Sequence, residues 1–224
     1  MNRNLPALRR QVLEGLALLI AITAFMWAIE GINSLDGQRL DGWGIHPRNI
    51  GDLWSVLTSW FVHANFSPHL VDNTIPFLFM GAFIALAGAK RLAAVTAIVI
   101  LVGGVGTWLV APPGTVTFGA SGVVFGFATY LFARGLFDRN IAELLVGVIV
   151  GFVWGAALVD SVVPHQGVSW QAHVCGAVGG VVAAYVLATR SRKDTQAQRS
   201  GGKPAAAPDP LQAHHDALDR ALSR

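Results

Sequence analysis

Six long apolar blocks constrain this chain more than any other feature of its sequence. They lie at 12–32, 70–89, 92–111, 118–135, 141–163 and 168–189. A helix needs about 20 residues to cross the roughly 30 Å of hydrocarbon in a bilayer. Inside lipid, only helices and closed barrels satisfy the polar groups of the backbone. Because the blocks are long and do not alternate between polar and apolar residues, they predict an all-α membrane protein with six transmembrane helices.

The composition of the chain agrees with a lipid bilayer as its surroundings. Its 224 residues are 53% hydrophobic and 13% charged, which leaves too little polar surface for a soluble domain. The single cysteine, Cys175, excludes an intramolecular disulfide, and the sequence has no Cys/His framework for zinc or haem. The basic residues cluster near the ends of the blocks. We therefore expect no cofactor, no metal and no nucleic-acid partner.

The basic clusters also predict the orientation of the chain in the membrane. They consist of Arg3, Arg9, Arg10, Lys90, Arg91, Arg134, Arg139, Arg190, Arg192 and Lys193. The links at 112–117 and 164–167 contain no Lys or Arg. Since cytoplasmic links carry the excess of positive charge, we expect a multi-pass protein of the cell membrane with both termini in the cytoplasm.

Two segments outside the apolar blocks have distinctive compositions. The long first external link, at 33–69, mixes polar residues with Trp, Leu and Ile, which is typical of a segment lying in the membrane interface. Residues 194–224 are rich in Gln, Ser, Gly, Pro and Ala, which is typical of disorder. We therefore divide the chain into a membrane domain at 1–193 and a polar cytoplasmic tail at 194–224. The sequence specifies no oligomeric state.

Ser121 and His173 are polar residues inside apolar blocks, where such groups are costly and suggest function. Ser121 lies in Gly-Ala-Ser-Gly at 119–122, and His173 shares a helix face with Gly176 and Gly180. Helix packing alone would explain Ser121, and a hydrogen-bonded polar group facing the interior of the bundle would explain His173. Both helices run inward, however, and a rise of 1.5 Å per residue puts both side chains about 5–8 Å below the outer ends. A hydroxyl and an imidazole at one depth predict a base-activated nucleophile.

His69 and Asn73 are spaced to share one face of the second helix, near its outer end. Their side chains are hydrogen-bond donors that could stabilise a developing oxyanion. Capping of the helix, or hydrogen bonds to neighbouring loops, would also explain them. Asp72 is expected to face elsewhere, with a capping or interfacial role.

Three sequence elements together resemble the rhomboid family. Gly-x-Ser-Gly matches 119–122, Ala-His-x-x-Gly-x-x-x-Gly matches 172–180, and His-x-x-x-Asn matches 69–73, preceded by His-Ala-Asn at 63–65. Each element alone is weak evidence. Their order, and their places on the second, fourth and sixth helices, extend the resemblance over about residues 10–190.

The resemblance implies a six-helix rhomboid-like bundle and an intramembrane serine endopeptidase. By this resemblance, Ser121 attacks the scissile carbonyl and His173 takes its proton, with no acidic third residue. His69, Asn73 and the backbone N–H of Ser121 would hold the oxyanion. The expected substrates are single-span membrane proteins, cut near the outer end of their transmembrane helix.

Three positions depart from the pattern common in the family. His63 and His69 are six residues apart rather than five, which predicts a bulge at 66–68. Ser55 stands where many members have arginine after tryptophan, and Phe125 replaces a tyrosine that often stacks under the histidine. None of these changes removes a residue of the dyad or of the oxyanion site.

Three alternative functions fit parts of the sequence. A non-catalytic relative that binds membrane helices would generally lack the serine or the histidine. A transporter or channel should have polar groups at mid-depth or on both sides, whereas here they cluster on the outer side. A metal site at His63, His69 and His173 would lack carboxylate partners for the histidines.

Overall fold

The computed structural model describes residues 5–165 and 167–201, with side chains described as far as residue 188. The helices are α1 (Leu5–Leu35), α2 (Ser55–Thr58), α3 (Val71–Ala85), α4 (Ala89–Val110), α5 (Ser121–Asp138), α6 (Ile141–Asp160) and α7 (Trp170–Gly201). The short α2 belongs to the first link, and each other helix coincides with one apolar block. The described ranges contain no strand, although an isolated backbone bridge pairs Ile45 with Thr117. The prediction of an all-α protein is confirmed.

Four helices are long and apolar enough to cross a bilayer by themselves. They are α1, α4, α6 and the part of α7 at 170–188. With 15 residues, α3 extends only about 22 Å, less than the hydrocarbon thickness. The 18 residues of α5 include Arg134 and Asp138 in the last turn and the turn before it. The chain is thus a multi-pass membrane protein, while the count of six spans stays a prediction.

Helix α5 lies at the centre of the bundle, where it packs against α3, α4 and α6. Its apolar side chains form much of the core, and the rings of Phe127 and Phe77 from α3 stack with their centroids 5.3 Å apart. On another side, α5 meets α7 through glycines. A Cβ on Gly176 would collide with the carbonyl oxygen of Gly122, and a Cβ on Gly180 with that of Gly126. These contacts bring the backbones of α5 and α7 together.

Helix α6 packs on α5 through its first half. A Cβ on Gly147 would lie 2.6 Å from the Cα of Phe132, whereas Cβ atoms on Gly151 and Gly155 would meet nothing within 4 Å. The second half of α6 is correspondingly exposed, and Phe152 is 90% accessible. The end of α6 is nevertheless important, because it leads into the loop that contacts α7 near His173.

The first external link is an irregular segment with short 3-10 turns at Arg39–Trp43, Ile50–Asp52 and Ser59–Phe61. Hydrogen bonds connect this link to the end of α1. The side-chain amide of Asn33 donates to Asp41 at 2.9 Å and to the carbonyl of His63 at 3.3 Å. Several large apolar side chains of the link remain exposed, among them Ile50, Trp54 and Leu57.

The predicted tail falls largely beyond the described part of the chain. The backbone of α7 is helical as far as Gly201. Residues 202–224, which make up most of the tail predicted at 194–224, lie outside the described residues.

Candidate active site

Ser121 is the first residue of α5. The apolar block had predicted a helix from residue 118, with Ser121 one turn inside it, and this boundary is wrong. Gly119 has a φ of +117°, which a right-handed helix does not allow, so the helix begins after the turn. The backbone N–H of Ser121 is therefore among those that a helix start leaves free. It makes no hydrogen bond with any described residue.

The side chains of Ser121 and His173 meet across the α5–α7 contact. Nε2 of His173 lies 2.9 Å from Oγ of Ser121, and Nδ1 lies 2.7 Å from the backbone carbonyl of Ser161, just after α6. A carbonyl only accepts, so Nδ1 carries the proton and donates it to Ser161. Nε2 is then unprotonated and accepts from the serine hydroxyl, as a general base requires.

The imidazole of His173 is also held by stacking. Its ring lies 4.4 Å from that of Phe125, at an interplanar angle of 5°. Phe125 is one turn after Ser121 on α5, so the same helix supplies the hydroxyl and the surface beneath the base. The phenylalanine at this position therefore preserves the ring contact.

His69 precedes α3, in a wide π-helical turn at Phe66–Leu70. The expected bulge is present here, because Ser67 has an extended backbone and the turn accommodates the extra residue between His63 and His69. Nδ1 of His69 accepts the N–H of Ala64 at 3.1 Å. The proton of the neutral ring is therefore on Nε2, which is available as a donor.

The side-chain nitrogens of His69 and Asn73 converge on Gly119. A Cβ on Gly119 would lie 2.8 Å from Nε2 of His69 and 3.8 Å from Nδ2 of Asn73. Asn73 uses one of its two N–H groups to donate to the carbonyl of His69 at 3.0 Å, which leaves the other. Two side-chain donors thus face the glycine two residues before Ser121.

His63, which the sequence pattern places before His69, has a structural role that the sequence did not predict. Its fully buried Nε2 accepts the backbone N–H of Ala120 at 3.2 Å, and Nδ1 donates to the carbonyl of Phe61 at 3.3 Å. The carbonyl of Ser59 accepts the N–H of Gly119 at 2.9 Å. Burial lowers the pKa of His63 to about 4, with the nearby His69 as a smaller cause, so the ring is neutral at pH 7 and remains an acceptor.

A cavity of about 970 Å³ joins these side chains. Ser121, His173, His69 and Asn73 all line it, together with residues of α4 and of the links before α5 and α7. Asp72 lines it as well, which contradicts the expectation that this residue faces elsewhere. Within the described ranges, no three His, Cys, Asp or Glu side chains are grouped so that they could hold a metal ion.

The arrangement has the parts that acyl transfer requires. It has a hydroxyl on an unprotonated imidazole nitrogen, a carbonyl that fixes the tautomer of that imidazole, and N–H donors beside the nucleophile. The roles of Ser161 and His63 could not be predicted from the sequence, because one acts through its backbone carbonyl and the other through a contact with a residue 57 positions away.

Comparisons with known proteins show the family of the chain. The model of the Rhomboid domain matches residues 50–190. Protein Rv1337 of Mycobacterium tuberculosis is 41% identical over 202 residues, covering 87% of this chain and 83% of the relative. Protein ML1171 of Mycobacterium leprae is 39% identical over 203 residues, covering 87% and 79%. YdcA of Bacillus subtilis, named as a candidate rhomboid protease, is 25% identical over 180 residues, covering 78% and 89%. This chain belongs to the rhomboid family.

Proposed function

We propose that the protein is an intramembrane serine endopeptidase that cleaves membrane-spanning proteins with a dyad of Ser121 and His173. The observation that carries the proposal is the 2.9 Å contact between Oγ of Ser121 and Nε2 of His173, with the tautomer set by Ser161. Membership of the rhomboid family supports the same reaction class.

The reaction follows from the protonation states of the site. Nε2 of His173 takes the hydroxyl proton while Oγ of Ser121 attacks the scissile carbonyl, and the carbonyl of Ser161 stabilises the resulting imidazolium. The oxyanion accepts hydrogen bonds from His69, Asn73 and the N–H of Ser121. One such donor is typically worth about 2.7–4 kcal/mol in the transition state.

Completion of the reaction uses the same imidazole. His173 returns its proton to the leaving amine, and the C–N bond breaks to leave an acyl ester on Ser121. His173 then takes a proton from a water molecule that attacks the ester, and Ser121 recovers its hydrogen when the second tetrahedral intermediate collapses.

The proposed setting is the cell membrane, crossed six times, with both termini in the cytoplasm. The absence of Lys and Arg from 112–117 supports an external position for the link that leads to Ser121. The exposed apolar side chains of the first link support its position in the interface. The membrane domain would extend over 1–193, followed by a cytoplasmic tail at 194–224.

In this orientation the site lies near the outer surface. The proposed substrates are therefore single-span membrane proteins, cut near the outer end of the span. No cofactor enters any step.

Cleavage by the purified protein tests the proposal. In detergent, the wild type should cut a model single-span substrate, and Ser121→Ala should reduce cleavage to background. The matched control is Ser161→Ala, which removes another hydroxyl from the cavity lining but keeps the carbonyl that binds His173. Its activity should stay close to that of the wild type. Undiminished cleavage by Ser121→Ala contradicts the assignment.

A serine-reactive fluorophosphonate separates the peptidase from the alternative, a non-catalytic protein that binds membrane helices. The peptidase should be labelled at Ser121, at a rate that falls when His173 is replaced by alanine. A folded protein that binds a single-span partner, but neither reacts with the probe nor cleaves the partner, would be the non-catalytic relative.

A further inference from the structure

Asp72 lies beside the candidate active site, in the first turn of α3. It is three residues after His69, a spacing that allows a shared face, and both residues line the cavity. The side chain of Asp72 is exposed, and its charge acts on the His69 ring. The proposed dyad chemistry gives Asp72 no direct part.

The charge of Asp72 is not balanced within the cavity. Among the described residues of the lining, it is the one Asp, Glu, Lys or Arg, and the other ionisable side chains are His69, His165 and His173. Its carboxylate makes no hydrogen bond or ion pair with any described residue. Asp160, in contrast, does not line the cavity and lies 3.7 Å from His165.

We propose that Asp72 makes the enzyme prefer substrates with a Lys or Arg close to the scissile bond. This inference rests on the proposed peptidase function. A carboxylate without a partner at a site that binds an extended peptide attracts a cation from that peptide, and apolar walls concentrate its field. Because Asp72 is exposed, the preference is modest and depends on salt.

Substrates that differ at one position test the inference. A series of single-span proteins carries Lys, Gln or Glu at each of several positions on either side of the cleavage site, and kcat/KM is measured for each. With the wild type, Lys should exceed Gln by roughly two- to five-fold at the position that reaches Asp72, the range of an exposed ion pair. Glu should fall below Gln by a similar factor.

Substitutions of Asp72 should change this order in a defined way. Asp72→Asn should make the three substrates nearly equal, and Asp72→Lys should favour Glu over Lys. The matched control is Asp36→Asn, an acidic residue of the first link that does not line the cavity. This control should keep the wild-type order. In 1 M salt, where the screening length is about 3 Å, the wild-type preference should shrink.

The outcomes separate this inference from the proposed function. Each variant is first checked by thermal unfolding and by labelling of Ser121, and if Asp72→Lys does not fold, Asp72→Asn carries the test. If Asp72→Asn lowered kcat/KM by the same factor for the Lys, Gln and Glu substrates, Asp72 would act through His69. That result would overturn the charge preference and leave the peptidase function intact. A lack of charge dependence in the wild type would do the same. A wild type that neither cleaves nor is labelled would overturn both proposals.

Discussion

Replacement of Gly119 by alanine should abolish most of the activity while leaving the protein folded. The backbone φ of Gly119 is +117°, and a Cβ there would lie 2.8 Å from Nε2 of His69. Real Cβ atoms are essentially never found this close to a neighbour. The methyl group would therefore occupy the space in which His69 and Asn73 are proposed to meet the oxyanion.

Two energies determine the size of this effect. The unfavourable φ costs about 1–3 kcal/mol of folding free energy, which a protein with a stability of about 5–15 kcal/mol tolerates. Displacement of one oxyanion donor costs about 2.7–4 kcal/mol in the transition state, or about 10²–10³ in kcat. Gly119→Ala should thus remain folded, with kcat lowered by roughly 100- to 1,000-fold.

Gly114→Ala is the matched control for this substitution. Gly114 also has a positive φ, of +79°, and belongs to the same link, but a Cβ there would meet nothing within 4 Å. It has a similar backbone penalty without the steric collision. Its thermal unfolding should resemble that of Gly119→Ala, and its kcat should stay within a few-fold of the wild type.

The assay is cleavage of a single-span substrate, combined with the rate of fluorophosphonate labelling. The double variant His69→Ala with Gly119→Ala adds a further test. If the methyl group acts by displacing His69, the two losses in kcat should not add. Cleavage by Gly119→Ala within about threefold of the wild type would refute the reasoning, as would an equal loss in Gly114→Ala.

Two further predictions concern packing and pH. Gly176→Ala should force α5 and α7 apart at the carbonyl of Gly122 and lower the free energy of unfolding by about 1–3 kcal/mol. In the control Gly151→Ala, the new Cβ would meet nothing within 4 Å, so the substitution should be neutral or slightly stabilising. Thermal unfolding measures both effects. The pKa of His63 is about 4 in the folded protein and 6.5 ordinarily, so the unfolded chain binds a proton first as pH falls. Above pH 6.5 the group has no effect. As the pH falls from 6.5 to 4, protonation of His63 in the unfolded chain should lower the free energy of unfolding by up to about 3 kcal/mol. The difference in unfolding free energy between pH 7 and pH 5 should therefore be smaller for His63→Gln than for the wild type.

The helices, and the meeting of Ser121 with His173, could be predicted because their signals are local or chemical. Apolar blocks of about 20 residues specify helices wherever they occur in lipid. Ser121 and His173 are conspicuous because polar side chains are rare in such blocks. The glycines beside His173 indicate a close helix contact, and α5 does approach α7 there.

The start of α5 could not be read from hydropathy, because Phe118 and Ala120 are as apolar as the helix that follows. The positive φ of Gly119 prevents a helix before Ser121, and hydropathy carries no information on φ. Asp72 was misplaced for a different reason. Its spacing of three residues from His69 allows a shared face. The i, i+4 spacing of His69 and Asn73 predicts a face of its own, however, and that face does not include the acid between them.

The contact between His173 and Ser161 indicates how the proposed dyad would operate without an acidic third residue. In triad enzymes, a carboxylate orients the histidine, and loss of the correct tautomer costs about 10⁴ in kcat. A carboxylate buried beside His173 in place of this carbonyl would need several kcal/mol of desolvation. The carbonyl of Ser161 carries no charge, yet at 2.7 Å from Nδ1 it selects the same tautomer. It stabilises the imidazolium less than an anion would. The stacked ring of Phe125 and the hydrogen bond to Ser161 instead fix the direction of Nε2, so the proposed dyad would rely on orientation where triad enzymes add charge.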